Sequence, residues 1–172
     1  MKLKKINLKN TNSTNDEAIK KIKKGMDNGI IITQTQNRGR GRYGKKWISI
    51  KGNLFMSIFY ELKKNILLKK ITKDNCYLVK KSFSNLTKYK ISIKPPNDLL
   101  IKSQKFCGIL QETIIFRKKK FIIIGIGVNI SKNPIIKDYP TTNLSKYAKK
   151  KINRNMVFTN IRKTFEKKLS KI

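Results

Sequence analysis

Residues 36–47, QNRGRGRYGKKW, place Arg38, Arg40 and Arg42 at alternate positions among Gly39, Gly41 and Gly44. These are half of the six arginines in a 172-residue chain that writes nearly all its positive charge as lysine. A guanidinium is a planar fork that pairs bidentately with carboxylate or phosphate, which the point charge of lysine does not do. Glycine lets the backbone approach a ligand closely and take positive φ. The pattern suits recognition of an anionic ligand, although a solvated basic loop or an Arg/Gly nucleic-acid segment has the same composition. It is neither a Gly-Lys-Ser/Thr phosphate loop nor a GxGxxG dinucleotide turn, since no helical pattern follows. Its context favours a built site: an apolar strand runs into it and Trp47 stands at its far end.

Two further stretches carry polar groups at constrained backbone. In IKPPNDLLI (93–101), Lys94 precedes Pro95 and Pro96, which restrict its conformation, and Asn97 and Asp98 follow at once. By local sequence alone an ordinary Pro-Asn-Asp turn between strands is the preferred reading. In GIGVNI (125–130), Gly125 and Gly127 interrupt an apolar strand, which in isolation reads first as a strand with bulge glycines and otherwise marks close approach of a ligand or another backbone, and Asn129 adds an amide. The chain has no histidine, and Cys76 and Cys107 lie in apolar surroundings without CxxC spacing. A Cys/His zinc site and a disulfide framework are thereby disfavoured, and the thiols read as core residues in a reducing compartment.

The elements that must position these residues follow from periodicity. LKKINL (3–8) reads as a short strand. Ala18, Ile19, Ile22 and Met26 then recur at helical spacing, Thr14 and Glu17 have capping-box form, and Gly25 or Gly29 would end the helix. GIIITQTQ (29–36) and LFMSIFYE (54–61) read as strands. Residues 66–86 put Ile71, Leu78 and Leu86, helped by Leu67, Val79 and Phe83, on one helical stripe. Beyond YKISIK, residues 98–116 read as a hairpin turning at Ser103/Gln104, and RKKK (117–120) as the turn into FIIIGIGVNI. Val157, Ile161, Phe165 and Leu169 define a terminal amphipathic helix within 154–172. The fold class is α+β, a mixed, mostly antiparallel central sheet with helices packed on it.

A chain of this length suits one domain. Its net charge of +33 by itself predicts a polyanion partner, but lysine runs from Lys2 to Lys171 without a boundary and travels with Ile and Asn, the signature of A/T-rich coding. The start MKLKKINLKN has no apolar segment after its basic residues, and no run approaches the ~18 residues of a membrane span, so a cytoplasmic location is expected.

Taken in order, STNDEA (13–18), TQNRGRGRYGKKW (35–47), KPPND (94–98), KFCGIL (105–110) and GIGVNI (125–130) resemble the successive motifs of the catalytic domain of biotin protein ligases. The resemblance covers roughly residues 6–170. It implies a class II aminoacyl-tRNA synthetase-like, biotin/lipoate ligase catalytic fold over 1–172. It also implies activation of biotin with ATP and Mg²⁺ to biotinyl-5′-AMP, then transfer to one lysine of the biotin carboxyl carrier protein of acetyl-CoA carboxylase. By the same likeness, Ser13, Thr14, Asn15 and Gln36 line the biotin pocket, with Thr14 also capping its helix. Gly39, Arg40, Gly41 and Arg42 form a loop that folds over biotin and the adenylate. Lys94 stands beside the reacting carboxylate and phosphate, and Trp47 and Asn129 lie near the nucleotide; Arg40, Arg42 and Lys94 are the implied catalytic set. Asp98 is the acid nearest at hand to take the proton of the incoming lysine.

The chain departs from the family pattern in having Pro95 where a tryptophan is usual and Arg38 where a small residue is usual. Neither the helix-turn-helix segment of bifunctional members nor the small C-terminal β domain is expected here, so no specific DNA binding is expected, and no membrane partner; pairing of two copies through a sheet edge is left open. Competing readings are a lipoate or octanoyl ligase or transferase of the same superfamily, disfavoured by the Gly-Arg-Gly-Arg spacing, and a basic nucleic-acid-binding domain.

Overall fold

Ile30 to Ile32 and Phe121 to Ile124 are apolar runs without polar alternation, and such runs need a sheet covered on both faces. The computed structural model describes residues 2–63, 67–137 and 139–171 and has this arrangement. The elements are β1 (Lys5–Thr11), α1 (Thr14–Lys23), β2 (Asn28–Gln36), β3 (Leu54–Glu61), α2 (Leu68–Lys81), β4 (Ile91–Lys94), β5 (Asp98–Ile101), β6 (Gln104–Phe116), β7 (Lys119–Val128) and α3 (Arg154–Leu169). The strands form a seven-stranded sheet in the order β1-β2-β3-β7-β6-β5-β4. Only β1 and β2 pair in parallel; the other neighbours are antiparallel, as the sequence predicts.

Alternation within each run divides the core. Ile30, Ile32, Ile58, Ile122 and Ile124 join a large cluster with Val79 of α2, Phe83 just after it, and Ile161 and Phe165 of α3. Ile31, Phe59, Phe121 and Ile123 instead meet Ala18 and Ile22 of α1. Each such side chain contributes about 1.5–3 kcal/mol on burial, so a one-residue slip of β7 would exchange the two sets and is strongly resisted. On the α1 face of β7, bulk gives way to space: Phe121 and Ile123 are followed by Gly125 and Gly127, and Gly108 of β6 lies opposite Gly127. The helix covers the bulky half and leaves the glycine half as the floor of a cavity.

Several boundaries shift from the expected ones. Ser13 is the N-cap of α1, with no side-chain capping bond, so Thr14 is the first helical residue rather than the cap. Its hydroxyl donates to Gln36, while Glu17 accepts from Thr11 and Lys20, and the capping box does not form. Gly25 ends α1 at φ +89, with Gly25 N–H donating to Ile22 O (2.8 Å) and Met26 N–H to Lys21 O (3.1 Å), a Schellman pair; Gly29 lies in β2. The β5–β6 turn is Lys102–Ser103, one residue earlier than expected, and the β6–β7 turn is Arg117–Lys118. All four have positive φ, as mirror-image hairpin turns require. α2 begins at Leu68; Leu67 is 80% exposed rather than on the buried stripe, and Ile66 lies outside the described residues. Val157, Ile161, Phe165 and Leu169 are buried as their spacing predicts, while Ile172 lies outside the described residues. Among the described residues no helix is long and apolar enough to cross a membrane.

Candidate active site

Over the glycine floor lies a cavity of about 520 Å³, within the range of small-molecule sites. Its walls are the N-terminus of α1 (Ser13, Thr14, Asn15), the end of β2 (Gln36), the Gly/Arg loop, the β5–β6 region and residues from the 134–141 segment. Arg40, Arg42, Lys45, Lys46, Lys105 and Lys137 line it against one carboxylate, Asp98, so an anionic occupant is favoured.

One end of the cavity is a chain of neutral hydrogen-bonding groups. Gln36 Oε1 accepts from Thr14 N–H (2.8 Å) and Thr14 Oγ1 (3.1 Å), and Gln36 Nε2 donates to Ser49 Oγ (3.2 Å). Ser57 Oγ lies 2.7 Å from Thr14 Oγ1 and 2.5 Å from Asn15 Oδ1, and Asn15 Nδ2 donates to Glu112 Oε2 (2.6 Å). A methyl group on Gly125 would collide with the Asn15 amide, which is why the strand must be bare there.

The Gly/Arg segment is a small hairpin rather than an open loop. Arg40 bridges Lys46, Gly41 N–H donates to Lys45 O (2.6 Å), and Trp47 N–H donates to Gly39 O (2.9 Å). Tyr43 (φ 53) and Gly44 (φ 72) make its turn. Of its three glycines only Gly44 has positive φ; Gly39 is required because a Cβ there would stand 2.6 Å from Trp47 O. The Trp47 ring closes on the floor: a Cβ on Gly108 would lie 2.6 Å from Cζ3 and one on Gly127 2.6 Å from Cζ2. Trp47 Nε1 is buried and has no hydrogen-bond partner among the described residues, a donor open to a ligand.

The two arginines of the implied catalytic set are placed differently. The Arg40 guanidinium is already engaged, bidentately by Glu112 (2.8 and 2.7 Å) and by Asp16 (2.8 Å). Burial works against its charge, and these carboxylates more than compensate, raising its pKa. Arg42 lies on the exposed Tyr43 ring (4.7 Å to the centroid) with Nη2 donating to the phenol (2.9 Å). Arg38 is exposed, and nothing in the structure assigns it a role.

Lys94 does not line the cavity. It is exposed at the end of β4 with Nζ 4.3 Å from the Tyr139 ring centroid. The lysine that does face the cavity there is Lys105, which the motif reading missed. Its Nζ pairs with Asp98 Oδ1 at 2.8 Å, off hydrogen-bond geometry, and stands 5.4 and 5.3 Å from the Trp47 and Tyr139 ring centroids. Tyr139 O–H donates to Asp98 Oδ2 (2.6 Å); burial, reinforced by that carboxylate, pushes the phenol above its ordinary range. Lys105 faces this way because of a register shift at Leu99/Leu100: Cys107 pairs with Leu99 and Lys105 with Leu100, on opposite faces.

Asn129 lines the cavity, but its amide is largely structural, donating to Thr142 O (3.2 Å). Beside it the buried Asn53 accepts from the N–H groups of Ile130 and Ser131 (2.9 and 3.2 Å) and steadies the segment that follows β7. Among the described residues no cluster of three His, Cys, Asp or Glu is placed to hold a metal ion, and Asp98 is committed to Lys105 and Tyr139.

Residues 5–129 match the Biotin/lipoate A/B protein ligase family. The bifunctional ligase/repressor BirA of Bacillus subtilis is 33% identical over 150 residues, covering 81% of this chain and 45% of its own length. The biotin–[acetyl-CoA-carboxylase] ligase of Paracoccus denitrificans is 28% identical over 131 residues, 74% of this chain and 55% of that protein. Among solved structures, the biotin protein ligase of Aquifex aeolicus in complex with biotin and ATP superposes with a TM-score of 0.80 at 27% identity, covering 98% of this chain and 71% of that one. The chain thus spans about half the length of the curated relatives it matches.

Proposed function

Because the chain belongs to the biotin/lipoate A/B protein ligase family, we propose that it activates biotin with MgATP to biotinyl-5′-AMP and passes biotin to a lysine of a biotin carboxyl carrier domain. The observation that carries this reading is the polarity of one cavity. Neutral amides and hydroxyls (Thr14, Asn15, Gln36) stand around Gly125, with Arg40 tied to Glu112 beside them; the Trp47 indole follows over the bare Gly108 and Gly127, and Lys105 stands by that indole. Biotin has that order of groups: a ureido head, an apolar ring and chain, and a terminal carboxylate.

In the first step a carboxylate oxygen attacks the α-phosphorus and pyrophosphate leaves. Two anions meet and charge builds on the phosphoryl oxygens, so fixed cations at that end are what the transition state requires. Lys105 is the best-placed one, held by Asp98 beside the Trp47 and Tyr139 rings, and Arg42 lines the cavity from the hairpin. Lys94, with Nζ 4.3 Å from the Tyr139 ring centroid, supports this end without lining the cavity. Trp47 offers an aromatic face and a free N–H, and the hairpin that carries it shields the acyl-adenylate from water. In the second step the carrier lysine loses a proton to solvent, its amine attacks the acyl carbon and AMP leaves; Asp98, paired with Lys105 and Tyr139, serves to hold Lys105 rather than to take the lysine proton.

Acetyl-CoA carboxylase is the carrier source we favour, by likeness to the biotin–[acetyl-CoA-carboxylase] ligase of Paracoccus denitrificans. The family also includes lipoate enzymes, so the test runs both acids: purified protein with MgATP, a biotin carboxyl carrier domain or a lipoyl domain, and labelled biotin or lipoate. Label on the carrier lysine from biotin alone is expected. Label from lipoate alone, or from neither where an intact ligase labels, overturns the reading.

A further inference from the structure

Arg40, Asn15 and Glu112 form a junction that the proposed chemistry does not require. Glu112 projects from β6, where it pairs with Ile123 in the middle of the sheet, so its carboxylate is carried by a rigid element. Its Oε1 accepts from Arg40 Nη1 (2.8 Å), and its Oε2 accepts from both Arg40 Nη2 (2.7 Å) and Asn15 Nδ2 (2.6 Å). One carboxylate therefore ties the hairpin to the pocket end of α1. Asp16 adds a second acid to the same guanidinium at 2.8 Å, but it is the more exposed, 42% against 26% for Glu112, and a solvated partner holds less firmly.

We propose that Glu112 is a positioning residue: its bidentate pair with Arg40 anchors the Gly/Arg hairpin over the cavity and, through Asn15, fixes the neutral end of the pocket. The consequence for Arg40 is a change of role. An incoming carboxylate or phosphate would have to displace two resident acids to use its fork, so Arg40 acts as a strut and leaves the anion to Lys105 and Arg42. The strut reaches far because the hairpin is internally bonded: Arg40 bridges Lys46, Trp47 N–H is held by Gly39 O, and the Trp47 ring rests on Gly108 and Gly127. Ser57, within 2.5 Å of Asn15 Oδ1, completes the line from hairpin to pocket.

The effect on biotin rests on the proposed function; the anchoring itself does not. The test is a double-mutant cycle of Arg40→Ala and Glu112→Ala, with Glu112→Gln as the near-isosteric variant. Two readouts are taken on folded protein: hydrogen exchange of the Gly41 and Trp47 amides without biotin, and biotin affinity by calorimetry. Each single variant is expected to speed exchange and weaken biotin by about tenfold, and the double variant to be no worse than the worse single, because one interaction is removed each time. In steady state the loss should fall mainly on KM for biotin, with kcat within about twofold, as for lost positioning rather than lost chemistry. Unchanged exchange in Glu112→Gln, or strictly additive losses, overturns the anchor. If the unaltered protein takes no biotin, the functional reading falls, and the exchange data still decide the anchor.

Discussion

Gly127→Ala adds one methyl group at the point where the cavity floor meets Trp47. The backbone at Gly127 is not in the left-handed region, so alanine meets no torsional strain there and gains about 0.4–1 kcal/mol by restricting the unfolded chain. Against this, its Cβ would stand 2.6 Å from Trp47 Cζ2 and 2.8 Å from Nε1, well inside contact distance. Overpacking of this kind costs about 1–3 kcal/mol. The indole is attached to a surface hairpin and can swing away, so the net loss of stability should stay within about 2 kcal/mol. At roughly 2–4 °C per kcal/mol for a domain of this size, the melting temperature should fall by a few degrees at most. The larger effect should be on the site, since a displaced indole no longer walls the cavity. Trp47 is the single tryptophan of the chain, so its emission reports the change directly. Red-shifted emission, easier quenching and about tenfold weaker biotin binding are expected, in line with loss of a buried aromatic contact. Gly25→Ala is the control: φ is +89 and nothing lies within 4 Å, so it should cost about 1 kcal/mol of stability and leave emission and biotin untouched. Wild-type emission and affinity in Gly127→Ala would refute the placement of Trp47.

Lys105→Met should reduce adenylate formation by at least about a hundredfold, the scale of a lost transition-state charge contact, whereas Lys94→Met should cost far less; equal losses in a pyrophosphate-exchange assay would contradict the assignment. Burial pushes Cys76 up to about 11, with Asp98 adding to it, and holds Cys107 well above its ordinary value. Both thiols should therefore resist alkylation at pH 8 until the protein unfolds; rapid labelling of native protein would show that the cluster around them opens. Glu166 is held below its ordinary value of 4.5 because the Leu3 N–H and Arg162 outweigh its burial. A depressed carboxylate stabilises above its unfolded pKa and loses that contribution as pH falls through the folded one. The stability gap between wild type and Glu166→Gln should thus be constant near neutrality and close below about pH 4.5, measured by denaturant melts; a gap that persisted in acid would rule out the charge interaction.

What was legible in the sequence depended on whether the signal was local. The apolar runs Ile30–Ile32 and Phe121–Ile124 announced buried strands, and the sheet follows. Gly125 and Gly127 interrupted such a run, and the structure shows what the bare backbone makes room for, the Asn15 amide and the Trp47 ring. Lys105 was hidden for a physical reason. Strict alternation from Cys107 would send it into the core, and only the register shift at Leu99/Leu100 turns it to the cavity. Glu112 was equally silent, an acid in the strand GILQETIIF whose partner lies 72 residues away in the Gly/Arg hairpin. An acid between Leu110 and Ile114 on the α1 face of the strand was the available signal. Thr14 misled because capping-box spacing was satisfied locally while Gln36, 22 residues on, offered its hydroxyl a better partner.

Biotin-dependent exchange of labelled pyrophosphate into ATP tests the central claim most directly, because it needs the cavity, the nucleotide and the first chemical step but no carrier. Exchange that saturates with biotin and is absent with lipoate is the predicted result. A folded, monodisperse protein that shows no biotin-dependent exchange, or shows it with lipoate instead, would contradict the account.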